Sequence, residues 1–264
     1  MTDILEIIAN NKRKELDSFY NCKTGERLVK AVVDRDRINT GRRSMRNAIL
    51  DCSSRNMPGI IAEFKRRSPS KGEIAPMADV VPVVTDYEKG GAAACSVLTD
   101  TRFFGGSLND LAVARNCCNL PLLRKDFIID EIQVFEASYY RADAILLIAS
   151  LLDQIQLHDF TLLAHELGLE VLYEIHDLAE LDKMPSEVDL LGINNRRLAT
   201  FDTDVKYALS LRDCLPHDIV WVAESGIQTS GDIKSLREAG FKGFLIGESL
   251  MRCDNKLRLL RELA

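Results

Sequence analysis

The chain has 264 residues, 46% hydrophobic and 28% charged, enough for one large core or two small ones. A formal net charge of -6 argues against a nucleic-acid footprint, and no apolar run approaches the roughly 20 residues of a membrane span. The 7 cysteines form no CxxC pair and His158, His165, His176 and His217 lack zinc spacing, which argues for a reducing cytoplasm and against a structural metal.

The start, MTDILEIIANNKRKEL, is amphipathic and charged, without the apolar centre of a secretory signal. Ile4, Ile7 and Ile8 at helical spacing predict a helix from Asp3 to about Phe19, followed by helices near 26–33 and 44–53. From Gly59 a regular alternation begins. Strands are expected at 60–64, 94–98, 121–124, 144–148, 170–173, 190–193, 219–223 and 243–246. Helices are expected at 78–90, 107–117, 131–141, 153–167, 177–183, 204–213, 229–239 and 249–263. Continuous apolar strings such as AILLI and IVWVA suit a parallel sheet buried on both faces. Ser107, Asp130, Ser150 or Asp153, and Thr229 or Ser230 read as helix caps, with Gly90-Gly91, Gly168 and Gly240 as stops. Eight such units predict a (β/α)8 TIM barrel. It would be a single domain over 1–264, of which 1–55 is an N-terminal helical extension over the barrel mouth. The rival, an open doubly wound sheet, lacks a G-x-G-x-x-G after its first strand. The expected end of the chain at its eighth helix leaves no room for a fused second enzyme.

Chemistry in such barrels gathers where strands end. The expected ends carry Glu63, Lys65 and Ser68; Arg102 and Phe104; Arg124-Lys125-Asp126; Ser150; Glu174 and His176; Asn194-Asn195-Arg196; Glu224-Ser225-Gly226; and Gly247-Glu248-Ser249. Glu63 and Lys65, two apart, leave the same face of a strand. Gly226 and Gly247 would let backbone N–H groups approach a phosphate after strands seven and eight, or simply make tight turns. Lys125 and Glu174 read as a general acid–base pair or as a buried ion pair, with carboxylates keeping the lysine protonated. Arg196 suits a carboxylate and Phe104 an aromatic ring, although each alone also reads as surface or packing. His176 is expected on the rim. Cys117-Cys118, Trp221, His158 and His165 are expected in packing or on solvated faces.

The segments IIAEFKRRSPSKG, SVLTDTRFFGGS, PLLRKDFIID, EVLYEIHD, LGINNRRL, AESGI and FLIGESLM, in this order, resemble the indole-3-glycerol phosphate synthase family of the tryptophan pathway. The resemblance spans nearly the whole chain, including an N-terminal extension that in the family lies over the barrel mouth. It implies ring closure of 1-(2-carboxyphenylamino)-1-deoxyribulose 5-phosphate to indole-3-glycerol phosphate, carbon dioxide and water, without metal or organic cofactor. It implies Lys125 as general acid, Glu174 as the acid–base group of dehydration and Glu63 as a third catalytic carboxylate. Lys65, Ser68, Phe104, Asn194, Arg196, Glu224 and Ser225 match substrate-binding positions, and Gly226, Gly247 and Glu248 the phosphate loops. The Glu248 side chain is expected to turn away from the anion. Arg197 departs from the acidic residue usual there. The partners expected are a small phosphorylated substrate, no nucleic acid and no membrane, and the chain is expected to be a monomer in the cytoplasm. Phosphoribosylanthranilate isomerase, a rival barrel enzyme, wants a Cys base and an Asp acid at strand ends where this chain has Glu-x-Lys. A non-catalytic phosphate-binding barrel is the other rival; it would keep its binding when Lys125 is substituted.

Overall fold

The apolar strings become parallel strands because each is covered by helices on one face and by other strands' side chains on the other. The computed structural model describes residues 4–20, 24–36, 41–196 and 203–264. Eight strands close into a barrel: β1 (Gly59–Phe64), β2 (Ala94–Leu98), β3 (Leu122–Lys125), β4 (Ala144–Ile148), β5 (Glu170–Ile175), β6 (Leu190–Asn194), β7 (Val220–Glu224) and β8 (Gly243–Ile246). Each pairs in parallel with its sequence neighbours, and β1 completes the ring with Ile61 opposite Leu245 of β8. Side-chain alternation sorts the strands. Ile61, Leu123, Leu146, Leu172, Leu190, Val222 and Leu245 fill the interior, while Ile60, Leu122, Ile145, Val171, Leu191 and Phe244 pack into the outer core. Carried to the C-terminal ends of the strands, the inward parity falls on Glu63, Lys125, Glu174, Asn194 and Glu224.

The helices are α1 (Ile4–Tyr20), α2 (Thr24–Asp36), α3 (Met45–Ser54), α4 (Val80–Gly90), α5 (Thr101–Phe104), α6 (Leu108–Cys117), α7 (Glu131–Tyr139), α8 (Gln154–Glu166), α9 (Lys206–Leu211), α10 (Ser230–Glu238), α11 (Glu248–Arg252) and α12 (Lys256–Leu263). Ser107, Asp130, Asp153 and Thr229 each accept a hydrogen bond from a first-turn amide of α6, α7, α8 and α10, so these are the true caps.

Three expectations need correction. The segment expected as a helix at 177–183 is a 3-10 helix, Leu178–Lys183, started by a capping box between Asp177 and Glu180. The long final helix is two: Cys253 is extended, and Asn255 restarts the chain by accepting from the Arg258 amide. The extension does not lie wholly over the mouth. α1 lines the cavity at the C-terminal ends of the strands, and α2 packs on α7. α3 plugs the opposite end, where Ile49 meets Gly59 and Gly243.

A buried polar latch holds that plug. Asp143 accepts from Arg115 at 2.6 Å, from the Leu122 amide at 2.8 Å and from the Arg43 amide at 3.0 Å. Glu170 receives the Met45 and Arg46 amides and pairs with Ser44. The basic pair Arg42-Arg43 is thus a local tie to barrel carbonyls. Replacing Asp143 by Ala strands the buried Arg115 guanidinium, which costs about 3–5 kcal/mol and lowers Tm by about 10 °C. Turnover by the folded fraction is expected to stay at the wild-type level, since the latch lies at the end of the barrel away from the cavity. Thermal unfolding and steady-state rates on the same sample check both halves.

Candidate active site

A cavity of about 520 Å³ opens at the C-terminal ends of the strands, roofed partly by α1. Its walls include Glu63, Lys65, Ser68, Phe104, Lys125, Glu174, Asn194, Arg196, Glu224, Ser225, Gly226, Gly247 and Glu248, so the thirteen residues to which the resemblance assigns a role meet here, whereas Arg102, Arg124, Ser150 and Asn195 of the expected strand ends do not line it.

At the centre Lys125, the last residue of β3, reaches across the interior. Its ammonium lies 2.8 Å from Glu174 Oε2 and 2.5 Å from Glu224 Oε2. Burial by itself lowers the lysine, but Glu174, Glu224 and Glu63 outweigh it and hold it protonated well above the ordinary range. The two glutamates are driven apart. Both are penalised by burial; attraction to Lys125 and His176 nevertheless holds Glu174 low, whereas the charge on Glu174 keeps Glu224 raised. The site therefore offers one held ammonium, one ionised carboxylate and one carboxyl inclined to keep its proton. Gly192 makes room for this, because a methyl there would overlap Glu224 Oε1.

Around this core, Asn194 donates to Glu174 Oε1 at 3.1 Å and accepts the Arg196 amide at 3.0 Å. Glu63 pairs with Lys65 at 2.6 Å. The Arg196 guanidinium donates to Ser70, in the turn of a two-stranded ribbon (Arg67–Ser68 with Gly72–Glu73) that the sequence reading missed. Phe104 ends α5 and lies 5.8 Å from the ring of Phe127, forming an aromatic wall. Ser225 and Gly226 are both left-handed, at φ 66° and 79°. That conformation is strained for a serine, and Asn195 supports it by donating to the Ser225 carbonyl at 3.1 Å. The Glu248 carboxylate is turned to Arg252, 3.1 Å away on its own helix. His176 lies deeper than the rim: its Nε2 is 3.4 Å from Glu174 Oε1 and its Nδ1 is buried without a partner. The spacing of His176, two residues after Glu174 on one strand face, was the available signal. Arg197 lies outside the described residues.

Gly247 has no room for a side chain. A Cβ would overlap the Glu63 carboxylate and stand 3.0 Å from Lys65 Nζ. Gly247→Ala is therefore expected to push that ion pair aside, raise KM and lower kcat/KM roughly 10- to 100-fold, the scale of an ångström-sized misplacement. Steady-state kinetics on the alanine variant tests this, and an unchanged KM would remove the glycine from the binding argument.

Among the described residues no cysteine lines the cavity and no group of three His, Cys, Asp or Glu side chains is arranged to hold a metal ion. No described helix is long and apolar enough to cross a membrane. The family profile described as indole-3-glycerol phosphate synthase matches residues 5–263. The protein of that name from Bacteroides thetaiotaomicron is 48% identical over 252 residues, covering 96% of this chain and 94% of its own length. The one from Desulfotalea psychrophila is 43% identical over 264 residues, covering 100% and 99%. The tryptophan synthase subunit alpha structure from Legionella pneumophila superposes with a TM-score of 0.61 at 12% identity, over 83% of this chain and 96% of that one, a likeness of fold alone. With a family profile and relatives spanning almost every residue, the chain belongs to the indole-3-glycerol phosphate synthase family.

Proposed function

We propose that the cavity closes the indole ring of 1-(2-carboxyphenylamino)-1-deoxyribulose 5-phosphate with Lys125 as general acid. As a member of its family the chain is a carboxy-lyase that acts on a small phosphorylated substrate. The observation that carries the residue assignment is the Lys125 ammonium held between Glu174 and Glu224 at the cavity wall. It can deliver a proton to the substrate carbonyl oxygen as the ring carbon bearing the carboxylate attacks the carbonyl carbon. The new carbon–carbon bond takes its electrons from the ring. Loss of the carboxylate as carbon dioxide then returns a pair to the ring and restores aromaticity. Glu174 serves the second phase, in which the hydroxyl leaves as water and a proton is removed to form the indole. Glu63 orients the anilino nitrogen and Lys125.

Binding is assigned by chemistry and position. Arg196 and Asn194 take the carboxylate side, and Phe104 packs on the anthranilate ring. Lys65 and Ser68 line the anionic end, while Glu224 and Ser225 shape the strand-seven wall. The phosphate is held by backbone N–H groups of Gly226, Gly247 and Glu248, a reading supported by the lack of room for a Cβ at Gly247 and by the pairing of the Glu248 carboxylate with Arg252. A monomeric, cytoplasmic enzyme belongs to the same proposal; cysteines unpaired among the described residues suit a reducing compartment.

The test is turnover of the carboxyphenylamino-deoxyribulose phosphate by wild-type protein, followed by indole fluorescence. Stoichiometric indole product supports the assignment, and folded protein that forms none overturns it.

A further inference from the structure

Lys12 of α1 is a buried cation outside the chemistry described above. It is 6% exposed, and its ammonium lies 3.3 Å from Asp100 Oδ2, 3.1 Å from Asp126 Oδ1 and 2.9 Å from Glu15. Asp100 is fully buried and Asp126 is 3% exposed. Lysine is rarely withdrawn from water this far unless paired. Each carboxylate also shapes a loop at the mouth. Asp100 follows β2 and caps α5 by accepting the Phe103 amide at 2.7 Å. Asp126 follows Lys125 and accepts Thr99 at 2.6 Å, Arg124 at 3.1 Å and the Phe127 amide at 2.8 Å. One ammonium thus joins three elements: α1, which supplies Ile4, Leu5 and Ile8 to the cavity, the loop carrying Phe104 and the loop carrying Phe127. Asn11 adds to the junction by accepting from Arg102 at 2.5 Å.

We propose that Lys12 is a positioning residue for the reaction: by holding Asp100 and Asp126 together it docks α1 on the mouth and fixes the Phe104–Phe127 wall. The inference rests on the ring-closure reading above, because the docked roof matters only if that cavity binds the substrate. It explains why a charged residue stands on the otherwise apolar inner face of α1. Burying the ammonium is unfavourable unless both carboxylates are in place, so the contact forms with one arrangement of the three elements.

Linkage predicts the kinetic signature. An α1 docked only a tenth of the time raises the apparent KM about tenfold, whereas saturating substrate restores the docked state and leaves kcat nearly unchanged. The experiment compares wild type with Lys12→Met and with Lys12→Met/Asp100→Asn. The second variant removes the stranded carboxylate while asparagine keeps the α5 cap, so it folds even if the first does not. Amide hydrogen exchange of α1 and steady-state kinetics are measured on each.

Faster exchange confined to α1 and residues 99–104, with KM raised about tenfold and kcat nearly unchanged, is the expected result. Wild-type KM together with wild-type exchange in the double variant overturns the proposal, as does a fall in kcat at unchanged KM. If wild type itself forms no indole, the ring-closure reading fails and the positioning role falls with it. The exchange data then still decide whether Lys12 docks the helix.

Discussion

Lys125→Met is expected to lower kcat about a thousandfold, within the 10²- to 10⁴-fold range of a lost general acid. Methionine keeps the length and the apolar stem, so the cavity retains its shape while losing the one proton poised at the carbonyl. KM should change far less, because Arg196 and the glycine turns, which are assigned to binding, are untouched. A second effect follows from the buried charges. Without the ammonium, Glu174 and Glu224 face each other as like charges in a dry site, and at least one takes up a proton. A carboxylate whose folded pKa is raised stabilises the fold at low pH, and that stability is lost as pH rises through the raised value. The variant should therefore gain stability on acidification from pH 8 to pH 5. Indole fluorescence gives the rate and urea unfolding at several pH values gives the slope. A kcat within tenfold of wild type would remove Lys125 from the role of principal acid.

Glu174→Gln is expected to separate the two phases of the reaction. Glutamine still accepts from Asn194, so the geometry around β6 is conserved, but it can no longer accept the proton released in dehydration. Ring closure and loss of carbon dioxide, which depend on Lys125, should continue while dehydration slows by about 10²- to 10⁴-fold. Carbon dioxide would then appear in a burst with little indole product. Glu224 is affected too: with the neighbouring charge gone its raised value falls toward the ordinary one, and it takes over as counter-ion to the lysine. Parallel measurement of carbon dioxide and indole decides the point. If both fall together, Glu174 acts before decarboxylation and the proposed order is wrong.

Much of the site was readable along the chain because its parts are local. Glu63 and Lys65 share a strand face by period two, and each glutamate or lysine of the core follows an apolar string. The limits appear where a side chain's direction depends on where its strand stops. Arg124 and Lys125 stand together at one expected strand end, yet β3 turns Arg124 outward to Asp126 and Glu136 and Lys125 inward to Glu174. The break in the final helix was hidden because Leu250, Cys253, Leu257 and Leu260 keep helical spacing across it, and the Asn255 cap shows that the chain restarts there. The ribbon at Arg67–Glu73 has strands of two residues each, too short for any periodicity to register.

The sequence alone determined the eight-fold alternation, the family and the set of residues at the strand ends. Those depend on residue type and spacing within a few positions, which set propensity and facing before any long-range contact forms. Tertiary structure alone decided which charges meet. Lys125 finds Glu174 49 residues away and Glu224 99 residues away only because the sheet closes. It likewise decided that Lys12 is withdrawn from water between Asp100 and Asp126, and that α1 and α3 of one extension cover opposite ends of the barrel. Burial of a charge and the sign of a pKa shift are properties of the groups brought around it, and ring closure of the barrel brings them there.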